Sequence, residues 1–413
     1  MDISRRNFLK AGLGAVTVSL GASQFLALAA QAANFDPRKV GKSKILVTIQ
    51  LAGGNDGINT VIPYGVGQYY QVRPQINIPE KEVLHLNGQI GLHPSMTGLN
   101  DLYKEGKVGI ILGAGYPNPN RSHFRSIEIW QTADPAKIIE TGWLGRYLDL
   151  AKGQIAEIDY PLPAVNVDSS LPKTLSATEV VVPSVANVYD FKFATDQHYQ
   201  QDRKYQLSIF NDVYSKFDTN KPSIDLLRKV GLDSVEAADY LLKVVQNYKS
   251  DVQYPDNGFG KGMKFIAQMI TAGVKSQIYN ISLGGFDTHA GQKGAQANLL
   301  KQLSDGITAF QKDIEAHHVD HDVMVMTFSE FGRRVAENGG RGTDHGTAEP
   351  MFIVSSAVKG GLYGDYPSLT NLDNGDLKFG VDFRTVYSTI LDRWLRADSR
   401  QILGANYENV RFV

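Results

Sequence analysis

Five apolar runs divide this chain: "KILVTIQL" at 44–51, "VGIILGAG" at 108–115, "QIYNISLGG" at 277–285, "DVMVMTF" at 322–328 and "MFIVSS" at 351–356. They are rich in β-branched residues and barely alternate with polar ones, which is the mark of strands buried on both faces. Helical patterns separate them. "MTGLNDLYKEG" precedes the second run and "GMKFIAQMITAG" the third. "NLLKQLSDGITAFQKDIEAH" lies between the third and fourth. "DFRTVYSTILDRWLRA" comes late, with Asp382 as N-cap and Val386, Ile390 and Trp394 along one face. Strand–helix alternation of this kind predicts an α/β domain, with a mostly parallel central sheet and helices on both faces. Residues 153 to about 260 break the pattern: a Pro/Ser/Thr-rich stretch is followed by two helical ones, so an insertion or cap is expected there.

Composition removes several chemistries. The chain has no cysteine, so disulfides, zinc–thiolate sites and cysteine nucleophiles are excluded. A net charge of -1 offers no basic excess for nucleic acid. The amino end reads "SRRNFLK" before an uncharged apolar stretch that ends "ALAAQAANFD". Arg5 and Arg6 there match a twin-arginine export signal, with cleavage expected after Ala32. The expected layout is a signal over 1–32 and one α/β domain over 33–413, delivered by the twin-arginine machinery to the periplasm or beyond, with no stable membrane span after cleavage.

Polar clusters gather beside the strands. The first strand ends in "LAGGNDGINT", with Asn55 and Asp56; the second in "GAGYPNPNRSHFRS", with Arg121, Ser122, His123 and Arg125. The third ends in "GGFDTH", with Asp287 and His289, and the fourth in "FSEFGRR", with Glu330, Arg333 and Arg334. "GGRGTDHGTAEP", with Asp344 and His345, precedes the fifth. Loops after the carboxyl ends of parallel strands share one rim, where ligands bind. Carboxylates crowded there repel one another unless cations compensate. Oxygen and imidazole donors suit zinc, manganese, magnesium or calcium, as one or two ions. Ser122 starts a helix, where its hydroxyl is either an N-cap or, beside a metal, a nucleophile.

The segments "LAGGNDGINTVIP", "LHPSM", "YPNPNRSHFRSIEIWQTA", "TGWLGRYLD", "SLGGFDTH", "MTFSEFGRRVAENGGRGTDHGTA" and "VKGGLYG" together resemble the bacterial domain-of-unknown-function family 1501. That family is placed in the alkaline phosphatase/sulfatase-like superfamily. The resemblance covers about 44 to 400 and implies an alkaline phosphatase-like fold. It further implies Asp56, Asp287, His289, Glu330 and His345 as metal ligands and Ser122 as nucleophile. Arg121, Arg125 or Arg333 would hold the ester anion, with Asp344 and Asn55 in support. Two departures stand out. Glu330-Phe331 occupies the place of an Asp-His pair, so one imidazole is missing, and Asp287-x-His289 replaces a longer Asp-x-x-x-His spacing.

"EAHHVDHD", with His317, His318 and His321, resembles a metal cluster in spacing but precedes the fourth strand, at the opposite rim. It reads as a solvated helix end; His85, His93 and His198 read as structural. Two functions compete. One is a metal-dependent hydrolase of phosphate or sulfate esters, acting on a small molecule or a glycan through Ser122. The other is a non-catalytic, metal-stabilised envelope or binding protein on the same scaffold, which the missing imidazole favours.

Overall fold

The computed structural model describes residues 44–154, 163–180, 182–186 and 244–413, with 202, 205, 206, 208, 209 and 212. In chain order these form β1 (Ile45–Ala52), α1 (Gly57–Thr60), β2 (Val61–Ile62), α2 (Gly67–Val72), β3 (Leu84–His85), β4 (Gly91–Leu92) and α3 (Thr97–Lys104). Next come β5 (Val108–Gly115), α4 (His123–Thr132), α5 (Trp143–Gln154) and β6 (Ala164–Asn166). The carboxyl part adds α6 (Gly258–Thr271), β7 (Ile278–Gly284), α7 (Gln292–Ala316), β8 (Val323–Ser329) and β9 (Glu349–Val354). It closes with β10 (Gly361–Tyr363), β11 (Val381–Asp382), α8 (Phe383–Thr389) and α9 (Ser399–Leu403). A π-helical turn, Ile390–Leu395, continues α8.

The main sheet runs β10-β5-β9-β8-β1-β7-β6, with β11 also paired to β5. β1 lies at its heart, parallel to both β7 and β8. Alternate β1 side chains serve two cores. Val47, Ile49 and Leu51 pack with Leu99, Ile266, Leu303 and Ile307 from α3, α6 and α7. Leu46 faces the other way, toward Trp130, Trp143, Val386 and Trp394. Each such fully buried aliphatic side chain stabilises by roughly 1.5–3 kcal/mol. Helices therefore cover both faces, as the uninterrupted apolar runs require. Asp382 caps α8 by accepting the Arg384 N–H at 3.0 Å.

Two features differ from the sequence reading. β6 comes from the stretch expected to be an insertion, yet it pairs parallel to β7 at the sheet edge. Three residues after "YPLP" carry little strand signal. What seats them is a buried polar line: Thr48 Oγ1 donates to Asn280 Oδ1 at 2.8 Å, and Asn280 Nδ2 to Asn166 Oδ1 at 2.9 Å. The two expected helices of that segment lie largely outside the described residues, and the expected export signal lies wholly outside them. Among the described residues no helix is long and apolar enough to cross a membrane.

The second difference is β9, which runs antiparallel to both β5 and β8. This places the site. β8 ends at the carboxyl rim and β9 starts there, so the connection 330–348 never leaves that rim. A parallel β9 would have begun at the opposite end and carried Asp344 and His345 away.

Candidate metal centre

The loop after β1 comes first, because it has least freedom. Gly53 adopts φ +119, and a Cβ there would lie 2.4 Å from the Asp287 nitrogen. Only glycine permits both that backbone and that approach. Its N–H donates to Glu330 Oε1 at 2.8 Å. Its carbonyl accepts from Arg333, whose Nε also donates to the Gly54 carbonyl at 2.7 Å. Thus the ends of β1, β7 and β8 are bolted together by one glycine and one buried arginine.

Around this bolt stand three histidines and Asp287. His123, the first residue of α4, presents Nε2 at 3.6 Å from Asp287 Oδ1. His345 Nε2 lies 3.3 Å and His289 Nε2 3.1 Å from the same oxygen. The Nε2 atoms of His289 and His345 are 2.9 Å apart. Each ring is held by its other nitrogen. His123 Nδ1 meets Glu330 Oε1 at 2.9 Å, His345 Nδ1 the Arg121 carbonyl at 2.9 Å, and His289 Nδ1 Asp344 Oδ1 at 3.3 Å. A carbonyl or carboxylate only accepts, so an Nδ1 that donates to these oxygens would leave Nε2 free to offer its lone pair to a metal. His123 Nε2 is buried and makes no hydrogen bond.

At 2.9 Å the two Nε2 atoms stand within hydrogen-bond distance, and a cation bound by both would hold them as close. The set fits a metal in its spacing as well. His123, Asp287 and His345 each bring one ligand atom to within 4.8 Å of the other two, and ligands of a tetrahedral ion at 2.0–2.1 Å stand about 3.3 Å apart; His289 joins this group from the side of Asp287 and His345. Outer oxygens on the far ring nitrogens are the usual companions of ligating histidines. Burial favours neutral His345, pushing its imidazole below the usual range. Burial works to raise the Asp287 carboxyl, but the Arg333 guanidinium at 2.7 Å, with help from the imidazoles, holds it below the usual range.

The other expected site residues are distributed as follows. Glu330 touches the ring of His123 from behind, and its Oε2 accepts from Ser329 Oγ at 3.2 Å; it orients a donor instead of facing the cluster. Asp56 is 1% exposed and is paired with fully buried Arg73 at 2.5 Å, while Gln292 Nε2 donates to the same oxygen. Its bonds reach none of Asp287, His289 or His345: the charge compensating Asp56 is a guanidinium. Asn55 is buried and accepts from Thr60 Oγ1 at 2.9 Å. Asp344 steadies His289. Arg333 spends its donors on main-chain carbonyls and Asp287. Arg125 is engaged with Glu128 at 2.8 Å and with the carbonyls of Pro135 and Lys137. Arg121 remains half exposed at the mouth, 3.1 Å from Asp376. Ser122 is exposed at the start of α4; its hydroxyl makes no hydrogen bond to Asp56 or Glu330.

His123 is the donor that sequence reasoning passed over. The signal was present in "NRSHFRS", but the adjacent serine absorbed it. Phe331, standing where an imidazole was missed, packs its ring on His123 and His345 at 4.9 and 4.6 Å between ring centres. Arg73, far from any motif, left no signal.

The model of a family described as "Protein of unknown function (DUF1501)" matches residues 43–405. The chain belongs to that family. No curated protein matches this DUF1501 member. Several solved structures are similar to it at low identity. One is a protein in the alkaline phosphatase superfamily from Vibrio parahaemolyticus (10% identity, TM-score 0.35, covering 87% of this chain and 78% of that one). Another is the PsFucS1 sulfatase from Pseudoalteromonas sp. (12%, 0.34, 93% and 72%). A third is the phosphonate monoester hydrolase of Agrobacterium radiobacter (8%, 0.34, 89% and 79%).

Proposed function

We propose that this chain is a zinc-dependent hydrolase of phosphate or sulfate monoesters. The observation that carries the reading is the convergence of His123, His289 and His345 Nε2 on Asp287, with every Nδ1 tied to an oxygen. Three imidazoles and one carboxylate suit zinc better than magnesium or calcium, which prefer oxygen alone. A zinc ion held there would supply Lewis-acid stabilisation of the ester oxygens.

The chain's own groups have these roles. Ser122, next to His123 and with an uncommitted hydroxyl, is the nucleophile. Its Oγ bonds to phosphorus or sulfur as the bond to the alcohol oxygen breaks, and its proton leaves with the alcohol. Water then releases the inorganic anion and restores the hydroxyl. Arg121 offers the substrate anion a charged donor at the mouth. Arg5 and Arg6 support export through the twin-arginine machinery to the periplasm or beyond.

The test is Ser122→Ala on zinc-loaded protein, with an aryl phosphate and an aryl sulfate as substrates. kcat/KM should fall by at least ~100-fold with the bound zinc retained, because covalent catalysis is lost. Turnover that survives the change would keep the hydrolase and reject this nucleophile. Wild-type protein that binds zinc and cleaves neither ester would favour the metal-stabilised binding protein, a reading that the Asp287–Arg333 tie also suits.

A further inference from the structure

A recess of about 320 Å³ opens beside the metal cluster, within the size range of small-molecule pockets. The two share a wall, since Phe331 lines the recess and packs on His123 and His345. Tyr116 and Leu377 extend that apolar lining, and Phe379, 37% exposed, adds a ring. The polar lining is different in kind. Asn118 offers an amide, Asp373 a carboxylate and Lys378 an ammonium, so the formal charges cancel.

Both sides are built in advance. On one, the Asn120 N–H donates to Tyr116 Oη at 3.0 Å, Tyr116 Oη bonds Ser126 Oγ at 3.0 Å, and Ser126 Oγ donates to the Glu330 carbonyl. The recess wall is thus tied to the residue that orients His123. On the other side, Asp373 and Asp376 exchange backbone hydrogen bonds at 3.0 and 2.9 Å. Asn374 and Gly375 between them both have positive φ, the requirement of a two-residue hairpin turn. This hairpin puts Asp373 on the recess and Asp376 against two guanidinium groups, Arg121 at 3.1 Å and Arg334 at 3.5 Å. One buried carboxylate shared by two part-exposed cations leaves a net positive charge at the mouth.

An anionic head would therefore sit at the cluster and the arginine pair, and the group attached to it would enter a neutral, ring-walled recess. We propose that this recess binds the alcohol part of the ester, and that this part is an uncharged, hydroxyl-bearing ring of the sugar class. The assignment rests on the hydrolase reading and narrows its substrate. Aromatic faces match the C–H surface of such a ring, while the amide, carboxylate and ammonium match its hydroxyls. A plain aryl group would use none of these three, of which Lys378 Nζ also donates to Asn371 Oδ1 at 2.6 Å and Asp373 Oδ1 accepts from Asn374 Nδ2 at 3.0 Å, and a charged alcohol would upset their balance.

Saturation-transfer NMR with the methyl glycosides of glucose, galactose, fucose and N-acetylglucosamine tests the recess without any ester chemistry. At least one glycoside should bind zinc-loaded and EDTA-treated protein alike. Phe379→Ala should weaken that binding roughly fivefold to tenfold, the range of one lost ring contact. For the sulfate or phosphate ester of the same sugar, KM should rise in Phe379→Ala by more than kcat falls. Absence of binding by all four glycosides, or binding unchanged in Phe379→Ala, overturns the assignment. Glycosides that bind while no ester is cleaved would leave a sugar site and remove the hydrolase.

Discussion

Two ends of one sheet carry histidine-rich clusters, and they differ in where the nitrogens point. At the carboxyl rim, His123, His289 and His345 each fasten Nδ1 to an oxygen and turn Nε2 inward. At the opposite end, His317 has both nitrogens committed, Nδ1 to the Asp313 carbonyl at 2.8 Å and Nε2 to the Lys249 carbonyl at 3.2 Å. His318 has a positive φ just after α7, and His321 is 74% exposed beside Asp320. The first cluster is drawn from three separate segments of the chain; the second is five consecutive positions wide. Histidine density is thus a poor guide to a metal site. Convergent donors with fixed far nitrogens are the better one.

The largest effect expected from this contrast is on metal content. Asp287→Ala or His345→Ala should lower zinc affinity by more than about 100-fold, beyond what changes to outer partners produce. A His317/His318/His321 triple alanine variant should keep full zinc by atomic emission. Zinc loss in the triple variant, and not in the first two, would reverse the comparison.

A histidine of a third kind sharpens it. His93 is buried, and burial lowers its imidazole to about 4, against partial compensation by Asp56. The unfolded chain, with an ordinary value of ~6.5, binds that proton more readily. Stability from this group is therefore complete above about pH 6.5 and is lost as pH falls toward 4, by at most ~3 kcal/mol. Denaturant unfolding of EDTA-treated protein at pH 7 and pH 4.5 should show a smaller loss in His93→Gln than in wild type. An equal loss would show that His93 does not remain neutral.

The smallest effect separates outer partners from bystanders. Glu330→Gln and Asp344→Asn should weaken zinc binding about 10- to 100-fold, since each orients a donor ring. His317→Gln should leave it unchanged. Competition with a fluorescent zinc chelator reads all three.

Legibility followed the range of the forces involved. The five apolar runs coincide with β1, β5, β7, β8 and β9 to within about two residues, because burial on both faces writes itself into local composition. β6 was not legible; its seat depends on Asn166 meeting Asn280, 114 positions away. Asp287, His289 and His345 stood out because glycines flank them. His123 did not, because nothing local distinguishes a helix-capping serine from the donor that follows it.

What the sequence by itself determined was the α/β architecture, the polar rim and the DUF1501 motifs. These depend on periodicity, glycine-bearing turns and residue type. What only the tertiary structure decided was the allocation of partners. Asp56 and Asp287 both end strands in a glycine-rich turn, yet one is sealed against Arg73 and the other faces three imidazoles. That outcome turns on β9 running antiparallel, which returns Asp344 and His345 to the rim, and on Arg73 reaching Asp56 from α2's end. Both are long-range geometry. Neighbouring residues hold no record of it, because a charge is compensated by whatever the fold brings within a few Å.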